Sequence, residues 1–82
     1  MKKEPARARI KLSADQIPVK VAFEPTGMTF ELLPGEKIFL DVPLSDLVAL
    51  EICAWDGGID VVLPDIGDHM ILDSDGNRIV VI

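Results

Sequence analysis

The 82-residue chain has one cysteine, Cys53, one histidine, His69, and no tyrosine. A lone cysteine excludes a disulfide within the chain and any zinc site built on several cysteines. It fits a reducing compartment. Four aromatic rings, Phe23, Phe30, Phe39 and Trp55, are too few for the stacking platforms that hold sugars or single-stranded nucleic acid. No Gly-x-Gly-x-x-Gly, Walker A loop, Gly-x-Ser-x-Gly or His-Glu-x-x-His is present. First-shell metal chemistry would therefore rest almost entirely on carboxylates. No run of about 18 apolar residues exists to span a membrane. The N-terminal Lys2, Lys3, Arg7 and Arg9 are not followed by the apolar stretch of a secretory signal. The expectation is a cytoplasmic protein that is not an enzyme and uses no cofactor.

Positive charge is scarce and unevenly placed. Eight Lys and Arg face fourteen Asp and Glu, for a net charge of −6. Residues 1–11 hold five bases against one acid, +4, and residues 12–82 hold three bases against thirteen acids, −10. A body this acidic repels phosphate backbones, so nucleic acid is not an expected partner. The basic N-terminus is expected to pack on the acidic body or to fray, as termini commonly do. Residues 1–6 read as a flexible basic segment and residues 7–82 as one domain.

What the chain has is regular punctuation. Turn signals fall at Pro25-Thr26-Gly27, Pro34-Gly35, Pro43 to Asp46, Asp56-Gly57-Gly58, Pro64 to Asp68 and Asp75-Gly76-Asn77. Between them lie short runs rich in Val, Ile, Leu and Phe, with apolar residues at alternate positions. Ile17, Val19, Val21 and Phe23 form one such set, and Met28, Phe30 and Leu32 another. The pattern predicts an all-β fold: a small antiparallel β-sandwich or barrel, jelly-roll-like, of six to eight short strands. The spaces between turns are too short for the crossover helices of a parallel sheet. The stretch 44–55 admits a helix through Ser45, Leu47, Val48 and Glu51, but Val48, Leu50, Ile52 and Ala54 alternate, which favours a loop and then a strand. Arg78 to Ile82 carries four consecutive apolar residues, so it should be an internal strand or part of a dimer interface.

Three residue groups are candidate sites. Asp73, Asp75 and Asn77 space oxygens as a calcium loop does, but Arg78 stands where glycine is required, so Asp75-Gly76 reads better as a hairpin turn. Asp65, Asp68 and His69, with Asp73 as a further possible member, could hold a divalent metal or form a base with an orienting carboxylate, although a solvated loop has the same composition. Cys53 is a possible nucleophile with His69 as its base, but a mid-strand cysteine is more often an inert core residue. Trp55 and Asp56, at a hairpin mouth, join His69 as tentative binding residues.

The segment Glu24-Pro25-Thr26-Gly27-Met28-Thr29-Phe30-Glu31-Leu32-Leu33-Pro34-Gly35-Glu36 resembles a group of short bacterial all-β proteins with a Glu-Pro-x-Gly hairpin and a Leu-x-Pro-Gly-Glu turn. Pro-Gly-Glu turns also precede strands in cupins, whose His-x-His metal motif this chain lacks. The resemblance implies a bacterial origin and an all-β fold, and no activity.

The leading expectation is a non-catalytic interaction protein that self-associates through an edge strand. Its partner would be a second copy or a basic protein, and not a membrane. The alternatives are a small-ligand or divalent-metal module using residues 65–77, an acidic inhibitor or nucleic-acid mimic, and an enzyme using Cys53 and His69.

Overall fold

A computed structural model describes residues 6–64 and 68–82. Among them are eight strands: β1 (Arg7–Ser13), β2 (Val19–Glu24), β3 (Met28–Leu32), β4 (Lys37–Pro43), β5 (Glu51–Trp55), β6 (Gly58–Val62), β7 (Met70–Leu72) and β8 (Arg78–Val81). A single 3-10 turn, Leu44–Val48, precedes β5. The stretch 44–55 is thus a turn and then a strand, as the alternation of Val48 to Ala54 indicates. The N-terminal tail, apart from Ala6, and the acid Asp65 lie outside the described residues.

The strands form two four-stranded sheets, ordered β1-β4-β7-β8 and β3-β2-β6-β5. The fold is an open sandwich and not a closed barrel. Its core is built from the inward positions of both sheets. Val21, Phe23, Leu40, Val42, Val61 and Ile71 are wholly buried, and the Phe23 and Phe30 rings meet edge to face with centroids 6.0 Å apart. Such pairs contribute about 1 kcal/mol beyond the area they bury.

One pairing departs from the expected antiparallel pattern. Strand β2 pairs with β6 in parallel, with Val21 opposite Ile59 and Phe23 opposite Val61. The crossover does not need a helix, because residues 25–57 carry the chain through β3, β4 and β5 and pass through the opposite sheet. Val21, Phe23, Ile59 and Val61 all face the core, while β2 also pairs with the antiparallel β3 on its other side.

The basic N-terminal stretch is largely an edge strand. From Arg7 onward it pairs in register with β4, with Arg9 opposite Asp41 and Lys11 opposite Phe39. Ala8, Ile10 and Leu12 point into the core, which is why the segment folds onto the body.

Strand β8, expected to be internal or at a dimer contact, is the other edge of the same sheet. Its run of four apolar residues divides between faces. Val80 and Ile82 point to the core, while Ile79 and Val81 are exposed. A register shift between Ile71 and Leu72 leaves Ile79 as an extra residue, a β-bulge. Bulges bend and twist an edge away from further pairing.

Candidate functional site

His69 was expected in a solvated loop. It is instead buried, with Nε2 2.8 Å from Asp46 Oδ2 and Nδ1 3.2 Å from the main-chain oxygen of Ile82. The main chains of the same two residues exchange hydrogen bonds, Ile82 N–H to His69 O at 2.7 Å and His69 N–H to Ile82 O at 3.2 Å. The imidazole therefore joins the entry to β7, the end of the chain after β8 and the 3-10 turn. The hydrophobic pattern gave no sign of this, because the partner Asp46 is 23 residues away in sequence.

A second polar cluster flanks it. Arg7 donates from Nε to Asp41, from Nη1 to Asp68 Oδ1 at 2.9 Å and from Nη2 to the Asp68 main-chain oxygen at 2.8 Å. Arg9 reaches the other Asp41 oxygen at 3.4 Å. The Asp41 hydrogen bond raises the Arg7 guanidinium above its ordinary value, and Asp68 adds to this. Asp41 is buried on the outer face of its sheet because the two arginines cover it. Asp68 has a left-handed backbone, φ 60°, a conformation that Asp and Asn adopt more readily than bulkier residues.

The remaining candidates are separated in space. Cys53, expected as a core residue, is exposed on β5, and the hydrogen-bond partners of the His69 ring are Asp46 and Ile82 and not Cys53. Asp73 Oδ1 accepts the backbone N–H groups of Asp75 and Asn77, both at 2.9 Å, and Gly76 has φ 86°. That is a side-chain-capped hairpin turn between β7 and β8. Among the described residues no group of three His, Cys, Asp or Glu side chains is placed to hold a metal. Trp55 lies over Gly58, its cross-strand partner, and its indole N–H donates to Asp60 at 3.1 Å. A Cβ on Gly58 would come 2.6 Å from the Lys20 carbonyl oxygen as well as striking the indole, so only glycine fits beneath the ring. The ring remains about half exposed, 46%. Asp56 is exposed in the turn beside it.

Five of the nine exposed large hydrophobic side chains among the described residues, Leu44, Leu47, Val48, Ile52 and Trp55, lie in the 3-10 turn and β5, and Val48 is 95% exposed. Of these, the sequence singled out only Trp55. Every residue of β5 is exposed, including Ile52 and Ala54 on its inward-pointing side. The alternation of Val48 to Ala54 indicates a strand here, and alternation does not distinguish an edge strand from a central one.

A cavity of about 420 Å³ opens between β3, the start of β4 and the β7–β8 turn, lined by Phe30, Glu31, Glu36, Lys37 and Asp73 among others. No helix among the described residues is long and apolar enough to cross a membrane. No known protein family, curated protein or solved structure matches the chain.

Proposed function

We propose that the protein is a small non-catalytic interaction module that pairs through edge strand β5 with a second copy of itself. The observation that carries this reading is the exposure of all five β5 residues beside the exposed Leu47 and Val48. Four strands end the two sheets, and β5 alone leaves its whole length exposed. Strand β1 carries Arg7, Arg9 and Lys11 on one face, β3 matches β5 in length and in its single acid but packs Met28, Phe30 and Leu32 against the core, and β8 is bulged. Charges and bulges are the usual means of keeping edges apart. Strand β5 is regular over its whole length and bears one charge, Glu51.

A second copy fits this edge because an antiparallel pair about a two-fold axis at Cys53 is self-complementary. Glu51 of each copy then lies opposite Trp55 of the other, and Ile52 opposite Ala54, so no like charges meet. Paired residues in such a ladder sit about 4.5–5.5 Å apart at Cα, within the span of a disulfide.

Mild oxidation should therefore link two chains through Cys53, and sedimentation of the reduced protein should show a dimer that dissociates on dilution. A clean monomer at high concentration with no cross-link would refute self-pairing.

A further inference from the structure

The strand registers place every outward position of the two sheets, and the two outer faces differ in charge. On the β1-β4-β7-β8 sheet the outward row through Arg9 continues to Asp41, Met70 and Val81, and the row through Lys11 continues to Phe39, Leu72 and Arg78. Arg7 and Lys37 occupy the ends. Leu72 is buried yet stands outside the core cluster, and the register sets it beside Phe39 on this face, with Met70 and Val81 in the next row. Five of the eight basic residues lie here against Asp41 and, bonded to Arg7 at the end of the face, Asp68, a charge of +3 on a chain of net −6.

The opposite outer face, on β3-β2-β6-β5, holds Glu24, Glu31, Glu51 and Asp60 against Lys20, a charge of −3. Ala22, Val62, Cys53 and Trp55 lie among them. Both faces thus have an apolar centre, and their charges are opposite.

We infer that the cationic face of one copy docks on the acidic face of another, head to tail. The basic partner that an acidic body calls for is then this chain's own second surface. The occupant is argued from charge complementarity, which mainly sets encounter rate and selectivity. The half-exposed Trp55 ring would sit against the stripe of Phe39, Met70 and Val81. Four strands about 4.8 Å apart and about 20 Å long give a footprint of roughly 400 Å² per copy. That is below the usual size of a stable interface, so the contact is weak and dependent on ionic strength. A head-to-tail contact leaves one free face at each end, so it builds open chains rather than closing at two. It is independent of the β5 edge, whose two-fold pair closes as a dimer and carries almost no charge.

The test uses two double variants at residues whose side chains make no ion pair or hydrogen bond among the described residues. Lys11→Glu with Lys37→Glu reverses the sign of the cationic face, and Glu24→Lys with Glu31→Lys inverts the acidic one. For the wild-type protein, sedimentation at low salt should show mass growing with concentration beyond a dimer. Moderate salt should weaken this about tenfold. Each variant alone should stop the growth while keeping its fold by circular dichroism. Mixed together, the two retain one intact pair of faces and should associate where each alone does not. Growth that ignores salt, growth that survives in either variant, or a mixture that fails to associate would overturn the inference. So would a wild-type chain that binds polyglutamate or anionic vesicles at low salt without growing in mass, since the cationic face would then belong to another partner. Cys53 cross-linking reads the edge pairing separately in every sample, so each contact can fail without the other.

Discussion

The two strands β5 and β8 are both open edges, both rich in apolar residues, and they are finished differently. Strand β8 is bulged at Ile79, turns Val80 and Ile82 into the core and is tied down beyond its end by the Ile82–His69 hydrogen bonds. Strand β5 is regular, and its Ile52 remains half exposed even on the side that faces inward. An edge that could pair is bent and anchored in one sheet, and left straight and bare in the other. The difference separates residues whose loss should unfold the protein from residues whose loss should only separate its copies.

The largest effect is expected where the anchored edge is held. His69→Ala removes a buried ring and the hydrogen bonds to Asp46 and Ile82, and should cost about 3 kcal/mol in urea denaturation. Cys53 cross-linking of the fraction still folded should be unchanged. Gly58→Ala should cost about 2 kcal/mol, because the added methyl strikes the Lys20 main chain, which cannot move without disturbing the β2–β6 pair. An unchanged midpoint would mean that the indole and main chain give way easily. The smallest effect on stability is expected at the bare edge. Ile52→Lys should shift unfolding by less than about 0.5 kcal/mol, as for other exposed positions. It should nevertheless abolish the cross-link, since a lysine on an edge strand opposes pairing. If the substitution instead destabilised the monomer strongly, Ile52 would belong to the fold and not to a contact.

The strands and turns were legible because they rest on local chemistry. Alternation at Val19 to Phe23 and at Met28 to Leu32, with glycine at Gly27 and Gly76, marks where strands run and stop. Strand partners were not legible, because pairing is non-local. Nothing within Val19 to Phe23 says that it meets Ile59 and Val61 in parallel. The same ignorance of neighbours put β8 inside a sheet or at a dimer interface, Cys53 in the core and His69 in solvent. The polarity of the surface was visible as a charge imbalance along the chain, yet only the register shows that Arg7, Arg9, Lys11, Lys37 and Arg78 share one face. Of the proposed binding surface, Trp55 stood out in sequence as a ring before a turn, whereas Leu44, Leu47 and Val48 resembled any apolar run.

Amide hydrogen exchange at two protein concentrations tests the self-pairing of β5 most directly. The amides of Glu51 to Trp55 that point away from β6 should exchange slowly in concentrated protein and quickly in dilute protein, while those of Arg78 to Val81 stay the same. Exchange in β5 that is fast and independent of concentration, or protection that grows at β8 instead, would contradict it.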